Sequence, residues 1–443
     1  LCLILRLLYQ TALIIMKRTI TLLSFLLLVL AIPSKAQWTA MGSGLNGRIR
    51  SLVVYNNQVY AGGTFTGHVA VWNGSTWSTA GDGLGTAATD SVNSLCVHGG
   101  VLYAGGVFTA SGTGTTVKYI AKLNTGTNKW EQVGSQINNF VRGLYSDGTD
   151  LYAGGAFTTP SSTVSRIAKL SGGTWVQVGD PSALTGFVNT IVKFNGSLYI
   201  GGGFAGLVAK LNGSTWTTIS GVTGTEVNAL AVFGNRIYIG GNFNQYLVTY
   251  NGSSIGTAFN TVNGRVWSLL ALPTRIFAGG SFTSSPSTGA SLPHFLLYDG
   301  ASPFTALGSG FNGDVYAFTN FNGKIVAGGG FTTAGGVSAT NVAISAQTID
   351  VPETDAVVAH AFYPNPMMDR SVFELETRET LVQPAVQIYD ASGRLVRSLE
   401  TDMEINGNQL RVIVLRDQLT AGYYLLSVSD NGRPVYAERF LVR

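Results

Sequence analysis

The chain has few of the groups that usually carry enzyme chemistry. Its 443 residues include two cysteines and four histidines, and charged residues make up only 11%. The histidines are His68, His98, His294 and His360. Their spacing does not fit a metal site, and the sequence contains no HExxH or CxxC motif. We therefore predict no metal site, no cofactor and no catalytic residue, and we expect a protein that is not an enzyme.

The scarcity of cysteine also limits cross-linking. Cys2 lies in an N-terminal stretch that we expect to be removed, which leaves Cys96 as the only cysteine of the mature chain. No intramolecular disulfide can then form. Because Leu95 and Val97 flank it, Cys96 is predicted to be a buried structural thiol rather than a nucleophile.

Dense clusters of positive charge are also missing. Residues 38–349 carry 14 basic and 9 acidic residues, whereas residues 350–443 carry 9 basic and 14 acidic residues. No basic cluster is dense enough to indicate a nucleic-acid partner. The rise in charge density near residue 350 indicates a domain boundary.

The N-terminus has the order of a secretory signal. Met16-Lys17-Arg18 precedes an apolar run over residues 20–32, and Ser34-Lys35-Ala36 places small residues before a cut at Gln37. A membrane anchor is the alternative, because residues 1–15 are also apolar. The run after Arg18 is short, however, for a span of about 20 residues. We predict that residues 1–36 are a signal peptide with an upstream extension that lacks a start methionine.

Glycine is abundant, with 57 residues, and much of it is repeated. A Gly-Gly-x-Phe sequence recurs seven times at intervals of 39 to 49 residues. The copies begin at Gly62, Gly105, Gly154, Gly201, Gly240, Gly279 and Gly328. A period of this size predicts a solenoid, a propeller or another repeat array.

Each repeat is predicted to contain four short antiparallel strands, because apolar or β-branched runs alternate with turn residues. In the second repeat the strands cover residues 92–97, 101–105, 119–123 and 129–133, and Asn-Gly turns such as Asn73-Gly74 close other hairpins. The glycine pair is expected to allow close packing where a Cβ would clash. The phenylalanine that follows is expected to fill the space between neighbouring sheets.

The two ends of the repeat region predict a closed ring. The seventh repeat stops after its third strand, near residues 341–345, whereas residues 38–47 closely match residues 304–313 at the end of the sixth. The N-terminal strand would supply the missing fourth strand and protect the edge. We therefore predict that residues 37–345 form an all-β, seven-bladed β-propeller whose last blade is closed by the N-terminal strand.

The repeats resemble those of kelch-type propellers, which have a glycine pair after the second strand and a tryptophan at the start of the fourth. The segment from Ile120 to Gly134 is the best copy, whereas Ile255 and Phe304 replace the tryptophan in the fifth and sixth repeats. The resemblance covers about residues 38–345. It implies the fold, but such propellers include both binding modules and enzymes, so it leaves function open.

One position near the start of each first strand is predicted to line the central channel. It holds Arg50, Asn93, Arg142, Asn189, Asn228, Trp267 and Tyr316. Side chains of these types suit a sugar or peptide ligand. The alternative is that they pack or hydrogen-bond between blades. The long connections after the second strands of the second, third, sixth and seventh repeats are expected to open on the same face.

A linker over residues 346–358 and a separate domain over residues 359–443 follow. Six predicted strands between turn signals indicate a small Ig-like antiparallel β-sandwich. The motifs of this domain resemble those of the C-terminal sorting domain of type IX secretion cargo. The residues that carry the resemblance include Pro364, Asn365, Pro366, Gly393, Arg394, Gly422 and Tyr423. An ordinary sandwich used for binding is the alternative.

The resemblance implies a route and partners. The domain would carry the folded cargo across the outer membrane by the type IX machinery. A sortase would then cut near the linker and release the cargo or attach it to surface lipopolysaccharide. We therefore expect a secreted or cell-surface propeller that binds an extracellular glycan or protein. A polysaccharide-acting hydrolase or lyase and a structural adhesin are the alternatives.

Overall fold

The computed structural model describes most of the chain after residue 36. It covers residues 37–134, 137–158, 164–257, 261–300, 303–346, 357–378, 380–390, 395–399, 403–417, 419–430 and 433–443. The predicted signal peptide, most of the predicted linker, and Gly393 and Arg394 lie outside the described residues.

The described residues confirm the all-β prediction. Their regular structure consists of β-strands, apart from one turn of 3-10 helix at Pro181–Ala183. No helix in this part of the chain has the length and hydropathy needed to cross a bilayer.

The glycine repeats correspond to seven antiparallel sheets within the described residues, which we number sheet 1 to sheet 7 in chain order. The first strands are Ile49–Tyr55, Ser91–His98, Val141–Ser146, Val188–Phe194, Gly224–Phe233, Val266–Leu272 and Val315–Phe321. The second strands are Gln58–Gly63, Val101–Val107, Leu151–Thr158, Ser197–Gly202, Arg236–Phe243, Arg275–Gly280 and Lys324–Gly329. The third strands are Val69–Trp72, Ile120–Asn124, Ser165–Ser171, Val208–Asn212, Leu247–Tyr250, Phe295–Tyr298 and Val342–Ser345.

Fourth strands complete six of these sheets, as far as the described residues show. They are Trp77–Thr79, Lys129–Gln132, Thr174–Gln177, Thr215–Thr218 and Ile255–Thr257 in sheets 1 to 5, and Trp38–Ala40 in sheet 7. Sheet 6 has three strands, and a bridge between Leu297 and Thr305 stands in the place of the fourth. The connection after Gly329 in sheet 7 contains a small hairpin of Thr333–Ala334 and Val337–Ser338.

Sheet 7 joins the two ends of the repeat region. Trp38–Ala40 pairs antiparallel with Val342–Ser345, with Trp38 opposite Ser345. The Asn341 side chain also donates a hydrogen bond of 2.8 Å to the carbonyl oxygen of Leu45. The pairing predicted from the matching sequences of residues 38–47 and 304–313 is therefore present.

The first strands form a cycle of contacts. Each first strand contacts that of the next sheet, and Val315–Phe321 of sheet 7 contacts Ile49–Tyr55 of sheet 1. Hydrophobic cores lie between consecutive sheets, as where Val69 of sheet 1 shares a cluster with Trp130 of sheet 2. The phenylalanines of the repeat are buried, as predicted. They are Phe65, Phe108, Phe157, Phe204, Phe243, Phe282 and Phe331.

The glycine pair permits this close packing. A Cβ on Gly62 would lie 2.5 Å from Cγ1 of Val92, at the start of the next first strand. A Cβ on Gly328 would likewise lie 2.6 Å from Cγ2 of Ile49. Real Cβ atoms do not approach other atoms so closely, so only glycine fits at these positions. The interpretation of the glycine pair is confirmed.

In five of the seven sheets, a tryptophan of the fourth strand connects the sheet to the one before it. Its indole N–H group donates a hydrogen bond of 2.9 to 3.1 Å to a backbone carbonyl oxygen just after the last strand or bridge of the preceding sheet. The pairs are Trp77 with Met41, Trp130 with Ala80, Trp175 with Val133, Trp216 with Val178, and Trp38 with Leu307. The side chains of Ile255 and Phe304 have no N–H group with which to make this bond.

Cys96 differs from its prediction. The side chain is half-buried, not buried, and its Sγ lies 3.7 Å from the carbonyl oxygen of Val97. It packs at the edge of the core between sheets 2 and 3. The flanking Leu95 and Val97 indicated an apolar strand, but side chains of a strand alternate between its faces. Apolar neighbours in sequence therefore do not establish the burial of the residue between them.

The C-terminal domain is built from two four-stranded antiparallel sheets. The strands of one sheet, in spatial order, are Val357–Tyr363, Arg370–Thr377, Gln409–Leu415 and Met403–Asn406. Those of the other are Leu395–Leu399, Pro384–Asp390, Gly422–Asp430 and Arg433–Val442. Residues from both sheets, including Phe373, Val412, Leu426 and Phe440, share one buried core.

The sequence interpretation of this domain missed two of its strands. Val357–Tyr363 begins in the last residues assigned to the linker, and Met403–Asn406 is an edge strand. Glu404, Ile405 and Asn406 are all exposed, so this strand lacks the alternation of apolar and polar residues that marks a half-buried strand.

Candidate functional site

All seven side chains that the sequence predicted to line a channel meet at one cavity. The cavity has a volume of about 380 Å³ and is also lined by Arg48, Val107 and Phe140. The structure therefore brings Arg50, Asn93, Arg142, Asn189, Asn228, Trp267 and Tyr316 together. Whether this cavity binds a ligand remains a prediction.

A β-bulge presents each of these side chains. In sheet 1 Ile49 pairs with Gly63 and Ser51 pairs with Gly62, so Arg50 is an extra residue without a partner in the ladder. The same shift occurs at the equivalent position of the other six first strands. Bulges often redirect a side chain beside a functional site. The repetition of this bulge explains why seven separate strands contribute to one cavity.

A second set of residues, two positions earlier in each repeat, was not predicted. It consists of Arg48, Ser91, Phe140, Phe187, Glu226, Arg265 and Asp314. Arg48 and Phe140 line the cavity directly, and the others contact residues that do. Side chains two positions apart on a strand lie on the same face. This periodicity was the signal in the sequence that could have identified the set.

Asparagine side chains hold three of the arginines of the site. The guanidinium groups of Arg50 and Arg142 each donate a hydrogen bond of 3.3 Å to an asparagine Oδ1 in the next sheet. These acceptors belong to Asn93 and Asn189. Arg265 donates in the same way to Asn228 of the preceding sheet, at 3.0 Å.

The same asparagines also connect sheets. Nδ2 of Asn93 donates to the carbonyl oxygen of Val141 at 3.1 Å, and Nδ2 of Asn189 donates to that of Val227 at 2.9 Å. These amides therefore make the bonds between sheets that we considered as the alternative to ligand binding. Their arrangement fixes the positions of the arginine heads and leaves the guanidinium groups as the main polar groups of the cavity wall.

Aromatic rings make up another part of the wall. The Arg265 guanidinium lies 3.5 Å from the ring centre of Trp267, and the rings of Trp267 and Tyr316 meet edge-on with centres 5.2 Å apart. Nε1 of Trp267 donates to Ser281 Oγ at 3.0 Å, and the Tyr316 hydroxyl donates to Asp314 at 3.1 Å. These bonds fix the orientation of both rings.

A second pair of aromatic rings lies near Arg142. Its guanidinium is 3.9 Å from the ring centre of Phe187, a distance at which a cation is attracted to the ring face. Phe140, two residues before Arg142, lines the cavity with its side chain 38% exposed. An exposed aromatic ring and a fixed guanidinium therefore line the same cavity.

The two carboxylates of this region already have partners. Glu226 forms an ion pair with Arg265 and accepts a hydrogen bond of 3.1 Å from Asn189. Asp314 accepts hydrogen bonds from Tyr316 and from Ser281, the latter at 3.0 Å, and lies 3.4 Å from His294 Nδ1. In the part of the chain that the structure describes, no three potential metal ligands cluster.

The arginines of the site affect one another electrostatically. Desolvation lowers the pKa of Arg142, Glu226 raises it, and the positive charges of Arg50 and Arg265 lower it further. Desolvation also lowers the pKa of Arg50, with opposing effects from Tyr316, which raises it, and Arg48, which lowers it. Both side chains stay charged at neutral pH, because an arginine pKa starts above 12. The wall thus brings several positive charges together, although desolvation and mutual repulsion disfavour their charged forms.

The described residues of the long connections lie outside the wall of this cavity. None of the described lining residues comes from the connections at 109–118, 158–166, 283–294 or 332–341. The connection in sheet 2 instead packs on the preceding repeat, where Gly112 N donates to Gly83 O at 2.9 Å. In sheet 7, Gly335 N donates to Gly310 O at 2.6 Å. His294, at the end of the sheet 6 connection, reaches the site through Asp314.

Residues of the sorting motif form hydrogen bonds with the last strand of the C-terminal domain. Oδ1 of Asn365 accepts a hydrogen bond of 3.0 Å from Leu441 N, and its Nδ2 donates to Arg439 O at 3.4 Å. The carbonyl oxygen of Pro364 accepts a hydrogen bond of 2.6 Å from Ser371 Oγ. Through these bonds, the Pro364-Asn365-Pro366 segment connects the last strand to the opposite sheet.

Gly422 and Tyr423 lie at the other side of the last strand. Gly422 pairs with Val442, and Tyr423 pairs with Leu441. The Tyr423 side chain is 60% exposed, whereas the neighbouring Tyr424 is buried and donates a hydrogen bond to Thr420 O at 2.9 Å. The motif residues of the described part thus meet around the final strand.

Comparison with known proteins identifies this domain. Residues 361–443 match the family model for the secretion system C-terminal sorting domain. This segment is a sorting domain. It implies export by type IX secretion and contact with that machinery, and hence a secreted or cell-surface protein.

Other comparisons add little. No curated protein matches the chain. The computationally designed Ika8 protein aligns at 12% identity over 91% of this chain and 99% of its own, with a TM-score of 0.45. The N-terminal domain of Nup159 aligns at 10% identity over 82% and 89%, with a TM-score of 0.23. Dimeric latent PorU from Porphyromonas gingivalis aligns at 12% identity over 77% and 31%, with a TM-score of 0.17. Likenesses this distant carry no argument about fold or function.

Proposed function

We propose that the chain is a secreted or surface-displayed seven-bladed kelch-like propeller that binds an extracellular glycan or protein at its central cavity. The sheets would be the blades, and Trp38–Ala40 would close the last of them. The cycle of contacts among first strands supports this architecture. So do the pairing of Trp38 with Ser345 and the tryptophan bonds between consecutive sheets.

One observation carries the binding proposal. Seven side chains from seven different sheets converge on a single cavity, and each stands at a bulge in its strand. The volume of about 380 Å³ lies at the low end of the range for small-molecule sites, about 300–1,000 Å³. It suits a sugar-sized group or a protruding side chain of a larger partner.

A hydrolase or lyase is the second candidate, favoured by the contacts among Asp314, Tyr316 and His294. Desolvation, the charge of Asp314 and the hydrogen bond to it all raise the pKa of Tyr316. The phenol therefore stays protonated at neutral pH and is poorly suited to act as a base or nucleophile. The carboxylate of Asp314 is occupied by hydrogen-bond donors. We therefore prefer binding without catalysis.

The test uses a glycan array and a set of extracellular proteins probed with the purified full-length protein. We expect binding that is lost when Trp267 is replaced by alanine, because the ring forms part of the cavity wall. The control is Trp72→Ala, since Trp72 lies on a third strand away from this cavity. Turnover of a polysaccharide without stable binding would contradict the proposal and favour the enzyme.

The proposed route is tested separately. The sorting domain would carry the propeller across the outer membrane, and a sortase would cut near residues 346–358 to release it or attach it to lipopolysaccharide. Deletion of residues 359–443 is expected to trap the protein in the periplasm. Normal export of the shortened protein would contradict the route and leave the binding proposal unaffected.

A further inference from the structure

The cavity has an excess of positive charge that its own residues do not neutralise. Arg48, Arg50 and Arg142 line it, and none of them forms an ion pair with a carboxylate among the described residues. The two acidic groups described above, Glu226 and Asp314, contact other partners. The wall therefore presents guanidinium groups without matching carboxylates.

The orientation of these groups is set before any ligand enters. Arg50 and Arg142 are each held through one nitrogen by an asparagine of the next sheet, and Arg142 also rests on the ring of Phe187. The remaining N–H groups of each planar guanidinium can still donate. A guanidinium binds a carboxylate with two parallel hydrogen bonds, and a fixed one loses little conformational entropy in doing so.

Mutual repulsion makes an anion favourable here. Glu226 favours the charge of Arg142, whereas the charges of Arg50 and Arg265 act against it. Tyr316 favours the charge of Arg50, and the charge of Arg48 acts against it. A bound anion would offset this repulsion, and its attraction to the wall would be strengthened by partial exclusion of water. Repulsive cationic groups arranged around a cavity are difficult to explain by stability alone.

The aromatic rings of the wall favour an acidic sugar over an acidic peptide side chain as the bound anion. Phe140 is exposed and lines the cavity together with Arg142 and Trp267. A sugar ring that bears a carboxylate has an apolar C–H face to lie against such a ring and an anionic group for the arginine. An acidic peptide side chain has the carboxylate on a flexible stem without a ring face. The juxtaposition of ring and guanidinium therefore favours the sugar.

We infer that the cavity recognises a uronic-acid residue of an acidic extracellular polysaccharide, with the carboxylate held by Arg50 and Arg142 and the sugar ring against Phe140. This inference rests on the proposed binding function and specifies its ligand class. Asn93 and Asn189 act as positioning residues that hold the guanidinium groups. Arg48 adds to the positive potential at the mouth.

The test compares the charged polysaccharide with its uncharged methyl ester. Binding of the full-length protein to polygalacturonate fragments is measured by calorimetry at low and at 0.5 M salt, beside the fully methyl-esterified fragments. We expect the free acid to bind about tenfold more tightly or better, because the ester loses its charge-assisted hydrogen bonds. The difference should shrink in high salt. Poly-glutamate serves as the peptide anion.

Two variants and a control test which positive charges are responsible for binding of the free acid. Arg142→Gln should weaken binding of the free acid about tenfold or more and leave the ester unchanged. Arg48→Gln should weaken binding of the free acid less than Arg142→Gln does. This variant should fold normally, because the Arg48 side chain makes no hydrogen bond with the described residues. Lys129→Gln removes one exposed positive charge from an outer strand and should have little effect.

The outcomes separate the two proposals. Equal binding of acid and ester would overturn the charged-sugar inference and leave the binding function intact. Tighter binding of poly-glutamate than of polygalacturonate would overturn it in favour of an acidic peptide. Equal losses from Lys129→Gln and Arg142→Gln would indicate attraction to the whole surface and would also overturn it. Failure to bind any glycan or protein would overturn the proposed function, and the inference with it.

Discussion

The indole N–H of Trp38 donates a hydrogen bond of 3.1 Å to the carbonyl oxygen of Leu307, 269 residues further along the chain. Trp38 is fully buried, and its ring meets those of Phe295 and Phe311 edge-on. One residue at the start of the repeat region therefore binds sheet 7 to sheet 6 while its own strand pairs with Val342–Ser345. The stability of the repeat region should depend on it.

We predict that Trp38→Phe lowers the free energy of unfolding by about 1–2 kcal/mol, because the carbonyl of Leu307 loses its donor in a partly buried setting. Urea unfolding followed by fluorescence measures the change. Trp72→Phe is the matched control, since the Trp72 indole N–H makes no hydrogen bond with the described residues. That variant should change stability by less than about 0.5 kcal/mol. Equal effects of the two changes would mean that the hydrogen bond of Trp38 is unimportant.

A clamp between an asparagine and a threonine 20 residues later recurs in four sheets. The pairs are Asn46 with Thr66, Asn138 with Thr158, Asn263 with Thr283, and Asn312 with Thr332. In sheet 7, Asn312 donates to Thr332 Oγ1 at 2.7 Å and accepts from the amide N–H groups of Thr332 and Thr333 at 2.9 Å. The clamp ties the segment that precedes the first strand to the end of the Gly-Gly-x-Phe motif.

We predict that Asn312→Ala destabilises the protein more than Thr332→Val does, because it removes the acceptor of two amides as well as the donor to one hydroxyl. The expected cost is about 1–2 kcal/mol for the first change and about half of that for the second. Hydrogen exchange at Thr332 and Thr333 should accelerate in Asn312→Ala. Asn235→Ala, at an exposed turn, is the control. Unchanged exchange at both amides would show that the clamp does not restrain this segment.

Several of these features could be predicted from the sequence because they repeat. The similarity of residues 38–47 to residues 304–313 was enough to predict the pairing of Trp38 with the third strand of sheet 7. The position of Arg50 was found because its equivalents occur at the same place in every repeat. A sequence feature that recurs in every repeat predicts a structural feature that all seven sheets share.

Other features depend on contacts that only the folded chain makes. The role of Asn189 could not be deduced, because its partners Arg142 and Glu226 come from the sheets on either side. The fixed positions of the guanidinium groups follow from such contacts. The edge strand Met403–Asn406 was missed for a related reason. This strand is defined by its pairing with Gln409–Leu415, whereas its own residues show no alternation of apolar and polar side chains.

Stability should fall in alkaline solution because of buried tyrosines. Desolvation raises the pKa of Tyr238, and the nearby Tyr298 raises it further. Burial likewise raises the pKa of Tyr389 to about 12. The unfolded chain releases these protons near pH 10, whereas the folded protein retains them. The contribution is therefore fully present below about pH 10 and is lost as the pH rises toward the folded values.

We predict that the free energy of unfolding is nearly constant from pH 7 to about pH 9.5 and decreases steeply above about pH 10. Urea unfolding at several pH values, with tyrosinate absorbance as a second measurement, checks this. Tyr238→Phe should reduce the slope above pH 10, because one raised group has been removed. Tyr423→Phe is the control, since that side chain is largely exposed. A slope that stays the same in Tyr238→Phe would show that Tyr238 does not contribute to the alkaline loss.

The sorting domain offers a test of how its Pro-Asn-Pro segment works. Asn365 bonds to the backbone of Arg439 and Leu441, and Met367 N donates to Leu441 O at 2.7 Å. We predict that Asn365→Ala loosens the last strand and lowers the amount of secreted protein, because the machinery would meet a frayed C-terminus. Immunoblots of culture medium and periplasm measure export, and hydrogen exchange at Leu441 measures the loosening.

The control for this prediction is Asn406→Ala, at the exposed end of the edge strand of the same domain. It should leave both export and exchange at Leu441 unchanged. If Asn365→Ala accelerates exchange at Leu441 but export stays normal, the machinery does not require an ordered last strand. If export falls while exchange stays slow, the Asn365 side chain itself contacts the machinery, and its hydrogen bonds to the last strand are not the reason for its place in the motif.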